Sequence, residues 1–405
     1  MTRRSSSATT FDGWHAAGDA NDFSPIVGGP LYRLYRRLHL LVPPVEKVSQ
    51  RIAAILIVTW LPLSLIALFG PYQAGGGGTS FWHDVSTQVR LLIVMPLLLA
   101  AEVTAHRNLA HTVGQFVDRQ LVRPGDEPRF AAAVASAQRW RDSAAVEVVL
   151  FIASVTLGHW IWLGGIAERS PSWMAWESGG VHHLTPAGYW LAFVSLPLFR
   201  FMILRWCYRL LVWHRLLWQL SRMRLNLSAL HPDRAAGLGF LRYGVLAFTL
   251  VLVAVGASFA GLVGHGLLNE GTSLGDYKMQ LVAVIAIALP CVLVSQAFFI
   301  PLLFAAKRAG HFRYGSRGSS YVRAFEHKWL TRNARPDAAF LGSSDIQSLS
   351  DLGQSYSVVQ ETKLVPIGKV DVIVLAIALL IPVVPVVLAT IPLRAIVTGV
   401  FHVLV

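Results

Sequence analysis

Residues 244–266 read GVLAFTLVLVAVGASFAGLVGHG, and His265 is the one titratable side chain among them. About 20 such residues are what a helix needs to cross ~30 Å of hydrocarbon. Lipid offers the backbone no hydrogen bonds, so only helices or closed barrels span it, and a run this long is not a barrel strand. Working outward, further apolar runs lie at about 52–70, 91–105, 144–166, 187–206, 279–304 and 370–393. The chain therefore reads as all-α: a polytopic helical membrane bundle of about seven transmembrane helices with short helical cytoplasmic extensions.

The basic residues orient this bundle, because Lys and Arg in short loops are retained on the cytoplasmic side. Alternating threading puts 29 of the 35 Lys and Arg in four segments, 1–51, 105–142, 207–242 and 307–369. Arg90, Arg169, Lys278 and Arg394 fall on the other side, and Arg200 and Arg205 lie within or at the edge of the fourth run. The expected N-terminus is cytoplasmic.

With 54% hydrophobic and 14% charged residues, no large water-soluble domain fits. The formal charge of +13 is spread over four loops and no nucleic-acid-binding motif accompanies it, so anionic lipid headgroups on the cytoplasmic face are its expected partners rather than nucleic acid. A homo-oligomer and a cytoplasmic protein partner stay open. Cys207 and Cys291 fall in apolar helices, where small buried thiols are expected and a structural disulfide is not.

Four divisions follow from this pattern. Residues 1–50 form a cytoplasmic tail, Ser/Thr/Gly/Asp-rich and disordered to about Gly29, with an amphipathic surface helix over 31–41. Residues 51–306 form the bundle, including a cytoplasmic stalk at 106–142 that turns at Arg123-Pro124-Gly125-Asp126. Residues 307–369 form a cytoplasmic helical hairpin, with helices from about Ser320 to Asn333 and from about Asp345 to Lys363. Ser343, Ser344 and Asp345 supply N-cap chemistry for the second of these. Residues 370–405 hold the last membrane helix and a tail.

The stretch from Trp218 to Arg222 continues to His231-Pro232-Asp233-Arg234-Ala235-Ala236-Gly237-Leu238-Gly239-Phe240-Leu241, and Leu341-Gly342-Ser343-Ser344-Asp345-Ile346-Gln347-Ser348-Leu349 lies further on. Together with the proline-rich last helix, these resemble the motifs of a family of uncharacterised bacterial polytopic inner-membrane proteins. The resemblance covers the C-terminal half best. It implies a multi-pass fold in a bacterial inner membrane, and no activity.

His231-Pro232-Asp233 also invites comparison with J-domain co-chaperones. Here a membrane helix begins at about Gly244 and leaves no room for that domain's third helix. The corner His231, Asp233 and Arg234 reads instead as local structure: Asp233 caps the fifth helix, and Gly237 and Gly239 admit close helix packing. An anion-binding or gating corner beside Arg234 and Arg242 is the alternative.

Ionisable residues inside the membrane carry most of the functional information, since a lone charge there costs at least ~2.5–3.5 kcal/mol and needs a partner. Glu102, Glu147, Arg200 and Arg205 can all share the inner leaflet. They read either as a network lining a cytoplasm-facing vestibule, with Arg200 holding an anion or the carboxylates carrying protons, or as a structural ion pair with Arg205 and Arg209 snorkelling. On the outer side His83, Asp84, His159, His182, His183 and His265 are candidate metal ligands, without the local spacing of a strong motif.

Pro62, Pro96, Pro197, Pro290, Pro301, Pro382 and Pro385 interrupt the apolar runs and free backbone carbonyls. The sequence shows no internal repeat. It also lacks a Walker A sequence, a Gly-x-Ser-x-Gly elbow, His-Glu-x-x-His and Cys-x-x-Cys, which excludes a soluble-type catalytic domain and points to no cofactor. Three readings remain: a channel or transporter for a small solute, an anion or a proton-coupled substrate; a non-catalytic sensor or assembly subunit; and a membrane-embedded enzyme acting on a lipid-like substrate.

Overall fold

Apolar runs whose backbone can be satisfied only from within fold as helices, and a computed structural model shows the chain doing so. It describes residues 23–38, 47–69, 80–166, 173–178, 181–330 and 344–390, and of 157–166, 176–178, 181–182 and 390 the backbone alone. In chain order the helices are α1 (Pro30–Arg37), α2 (Val48–Phe69), α3 (Val85–Asp118), α4 (Glu127–Arg141) and α5 (Ala144–Ile166). They continue with α6 (Pro186–Ser221), α7 (Leu241–Asn269), α8 (Leu274–Ala297), α9 (Ile300–Trp329), α10 (Ser344–Gln360) and α11 (Lys369–Ala389). A small antiparallel hairpin of β1 (Ala175–Ser178) and β2 (Val181–Leu184) precedes α6.

Among the described residues, α2, α3, α6, α7, α8 and α11 are long and apolar enough to cross a membrane. The third expected run is also helical, as α5, and its described side chains form a shorter apolar stretch, Ala144–Thr156. This is a helical membrane bundle.

α3 and α6 span 34 and 36 residues. At 1.5 Å per residue that is about 50 Å, so each stands well clear of ~30 Å of hydrocarbon. The two share one construction. Asp84 caps α3 by accepting from Thr87 N at 3.0 Å, and Thr185 caps α6 by accepting from Gly188 N at 3.0 Å. A π-helical turn follows in each, Arg90–Val94 and Leu191–Ser195, and a proline stands two residues beyond it, Pro96 and Pro197. Proline removes an N–H and its ring collides with the carbonyl four residues back, and the wider π turn relieves both. This repeated construction is invisible in residue identity, which is why the sequence shows no repeat. The far ends of the pair are joined by a bridge between Val122 and Leu225, with Asn226 N donating to Leu121 O at 2.7 Å.

α2 lies between them. Its Trp60 Nε1 donates to Gln88 Oε1 at 2.8 Å, while Ser195 Oγ in the π turn of α6 donates to Thr59 O at 2.8 Å. On the other side of α3, α7 packs against α3 and α11. Small residues allow that approach: a Cβ added to Gly256 would collide with the Leu379 carbonyl of α11, and one on Gly261 would press on Val89 of α3.

Several boundaries differ from the sequence reading. The apolar run 279–304 is not one helix: α8 ends at Ala297 and α9 starts at Ile300, because Pro301 cannot donate into a continuous helix. α9 then runs unbroken to Trp329, where the sequence suggested a separate helix from Ser320. Asp345, at the start of α10, reaches across to α9 and accepts from Trp329 Nε1 at 3.0 Å and from Lys328. Ser343 and the glycine run 75–78 lie outside the described residues, as does 391–405.

The segment before α1 also departs from the expected disorder. Phe23, Ser24 and Ile26 are fully buried, and Arg141 Nη1 donates to Ser24 O at 2.9 Å. Two apolar side chains and one guanidinium anchor a stretch whose composition alone reads as loose.

Candidate functional site

Five ionisable groups of the bundle gather at one end, where α2 begins, α5 begins and α6 is two-thirds complete. Arg51 stands one turn into α2, Glu102 on α3, Glu147 one turn into α5, and Arg205 and Arg209 one turn apart on α6. That (i, i+4) spacing turns both guanidiniums to the same side.

The Glu102 carboxylate is the centre. Its Oε1 accepts from Arg209 Nη2 at 2.8 Å and Arg205 Nη1 at 3.2 Å, and its Oε2 accepts from Arg51 Nη1. Arg205 also reaches Glu147, Nε to Oε1 at 3.3 Å. Side-chain exposure is 1% at Arg51, 6% at Glu102, 6% at Arg209, 9% at Arg205 and 11% at Glu147, so this is an interior network and not a surface one. The Arg209 guanidinium further lies over the Trp206 ring at 5.0 Å, and that of Arg51 over Tyr35 at 5.9 Å.

The strap formed by residues 23–38 closes the network from outside the bundle. Leu31 N, at the start of α1, donates to Glu147 Oε2 at 2.8 Å, and Gly29 N donates to Asp142 Oδ1 at 2.8 Å. Asp142 is held in turn by Arg141, Nη2 to Oδ2 at 2.7 Å. A cavity of ≈ 10 Å³, room for about one water, remains between Pro25 and Gly28 of the strap and Arg141, Glu147, Arg205 and Arg209.

Sequence reading brought Glu102, Glu147 and Arg205 together, and so does the structure. Arg200 is not with them. It is half-buried on α6, and the charge acting on it is that of Arg90, a like charge. Arg51, Arg209 and Tyr35 take its place. Arg51 precedes the apolar run by one residue and reads as a loop charge, while Arg209 reads as a snorkelling one. The signal that separates Arg209 from Arg200 is its one-turn spacing from Arg205.

At the opposite end a second polar group forms around Asp84. Beyond capping α3, it accepts from Thr87 Oγ1 at 2.7 Å and Trp173 Nε1 at 3.2 Å, and its Oδ1 is 3.3 Å from His265 Nδ1. Burial alone would raise this carboxyl, but the His265 and Thr87 hydrogen bonds hold it below the usual carboxylate range. His83 turns to Ser80 Oγ at 2.7 Å, and His183 is exposed on β2. The side chains of His159 and His182 lie outside the described residues. Among those described, no three His, Cys, Asp or Glu side chains are placed to hold a metal. Buried Leu91, Val94, Met95, Leu98 and Leu99 separate Asp84 from Glu102 along α3, so the two polar groups are not continuous.

The His231–Arg234 corner has a structural explanation different from helix capping. Asp233 accepts from the amides of Ala235 at 2.8 Å, Gly237 at 3.1 Å and Gly239 at 2.9 Å, and its Oδ1 is 2.9 Å from His231 Nδ1. It therefore organises the loop before α7 without reaching the helix itself. Burial works to raise its pKa, and the three amides and His231 outweigh burial to hold it low. Arg234, Ala236 and Gly237 have φ of 53°, 54° and 99°, a left-handed path that only glycine takes freely. Gly239 lacks a side chain because Asp233 fills that space. Arg234 O accepts from Lys363 N at 2.7 Å, its Nη1 meets Glu361 at 2.8 Å, and Arg119 donates to Gly237 O at 3.3 Å. One loop thus ties α3 and the α10–α11 connection together.

No family model, curated protein or solved structure matches this chain. Fold and site define a multi-pass helical membrane protein with a buried arginine–glutamate network at one end.

Proposed function

We propose that the protein is a conduit for a small solute, an anion or a proton-coupled substrate, closed in this structure by the strap over its Arg–Glu network and by the apolar layer of α3 between that network and Asp84. The observation that carries this is a buried arginine–glutamate network covered by the strap. Among the described residues Arg51, Arg205 and Arg209 meet Glu102, and Arg205 also meets Glu147. Charges taken out of water at membrane depth are costly, and where they occur they ordinarily line an ion or proton path.

The basic loops support placing this end at the cytoplasmic face of a bacterial inner membrane, with the N-terminal strap inside. The family resemblance of the His231–Leu241 and Leu341–Leu349 stretches supports the same location. The strap then acts as a cytoplasmic gate, since Gly29 and Leu31 hold the two acidic residues nearest the mouth.

The test is anion and proton flux in liposomes that contain only this protein. Arg209→Gln, correctly inserted, abolishes or re-selects flux; unchanged flux would remove the network from the path.

A sensor or assembly subunit is the second reading, favoured by a cleft of ≈ 770 Å³ between α9 and α10. His311, Phe312, Arg323 and Tyr356 are among its lining residues. Absence of flux under all gradients, with capture of a partner by α9–α10, would support it instead.

A further inference from the structure

Helices α3, α6, α7 and α8 enclose a second space, independent of the Arg–Glu network and of the transport reading. It is a cavity of ≈ 360 Å³, lined among others by Trp206, Cys207, Leu210, Phe248, Ala288 and Cys291. Along α8 the lining runs from Ala283 to Val292, about 14 Å at the standard helical rise. Its walls are apolar at a depth where the surrounding solvent is acyl chain.

What lies beyond the cavity is polar. On α6 the lining residues Ile203, Cys207 and Leu210 continue, at helical spacing, to His214. On α8, Val284, Ala288, Cys291 and Val292 continue to Ser295 and Gln296. His214 Nε2, Ser295 Oγ and both polar atoms of the Gln296 amide are buried without a hydrogen-bond partner among the described residues. Ser295 is 0% exposed and Gln296 1%. The His214 ring stands edge-on to Phe298 at 6.5 Å, which brings α6 to the α8–α9 break beside Gln296. Buried polar groups are nearly always satisfied, so several unmet ones on α6 and α8, in register with the lining and just beyond it, together with the apolar cavity suit the two halves of an amphipathic ligand.

We propose that this space binds one glycerolipid. Its acyl chain lies along α6 and α8, and its ester carbonyls accept hydrogen bonds from Ser295, Gln296 Nε2 and His214. Gln296 Oε1 accepts from a hydroxyl or amine of the headgroup. A bare hydrocarbon would leave all these groups unmet. An isoprenoid quinone brings carbonyl acceptors but no donor for Gln296 Oε1, so a glycerolipid fits the set better.

The test uses the full-length protein in vesicles containing phosphatidylglycerol with a photoactivatable acyl chain. Crosslinks concentrated on 203–214 and 283–296 are expected, and labelling spread evenly around the bundle would overturn the proposal. Ala288→Trp and Cys291→Trp each fill the cavity from its partly open side and should lower the yield at least tenfold. Elution and helix content are read alongside, so that only a folded variant is compared. Unchanged yield in folded variants would overturn it too. Gln296→Leu keeps the cavity and should lower the yield more modestly. Displacement of the label by unlabelled phosphatidylglycerol is expected, whereas displacement only by a quinone would reassign the site and refute the glycerolipid.

Discussion

Replacing Glu102 by Gln removes the one carboxylate shared by three guanidiniums. The volume is conserved, so the perturbation is electrostatic. In the variant Arg51, Arg205 and Arg209 all lose this carboxylate, and Arg205 keeps its contact with Glu147. Removing one partner of a buried ion pair costs about 3–5 kcal/mol, because the charges left behind stay desolvated. All four side chains that meet here are more than nine-tenths buried, so solvent screening does little to soften that figure. The assay is reversible unfolding in mixed micelles followed by tryptophan fluorescence. Adding Arg209→Met to Glu102→Gln removes one of the guanidiniums that lost its carboxylate, and the double variant should regain about 0.5–3 kcal/mol relative to the sum of the singles. A Glu102→Gln variant within about 0.5 kcal/mol of the native protein, or strict additivity in the cycle, would refute the network as the organising feature of this end.

Asp233→Ala leaves three loop amides without their acceptor and should cost about 2–3 kcal/mol, read as faster hydrogen exchange at Ala235, Gly237 and Gly239. The native Asp233 pKa lies below the 3.8 of a free aspartate side chain, so its contribution is present above that value and is lost as pH falls through the lower native one. Exchange at those amides should therefore stay slow at pH 5 and accelerate only in stronger acid. Gly256→Leu should part α7 from α11, shown by loss of a disulfide engineered across that contact, while Gly353→Ala, in open space, should leave the contact intact. Asp84→Ala removes the α3 cap and should lower stability by about 1 kcal/mol in the same unfolding assay.

The fold was legible because hydrocarbon imposes a simple rule: long apolar runs must be helices. Their ends were less so. Pro301 and Pro290 both sit in the run 279–304, yet only Pro301 coincides with a break, and identity alone does not distinguish them. The site was half legible. Glu102, Glu147 and Arg205 stand out as charges in apolar surroundings, but Arg200 does so equally and points elsewhere. Arg51 hides at the edge of its run, where a charge is ordinary. The strap could not be read from composition, because its burial rests on Phe23, Ile26 and a distant Arg141 that pairs with it only in three dimensions. The Asp233 loop shows the same limit: its glycines signalled a constraint, but only the carboxylate geometry shows what they make room for.

The central claim is that the strap gates a positively charged site, and Gly28 offers the most direct access to it. A Cβ at Gly28 would run into the Asp142 carboxylate and the Arg141 guanidinium, and its φ of +149° already disfavours a side chain. Strain of only about 1.4 kcal/mol on the closed state raises the open population about tenfold. The measurement is anion efflux from liposomes holding purified Gly28→Val protein, beside the native protein and the Gly28→Val/Arg209→Gln double variant. The account predicts efflux that rises about tenfold in Gly28→Val and disappears in the double variant. Equal efflux from all three, or none from any, would contradict it.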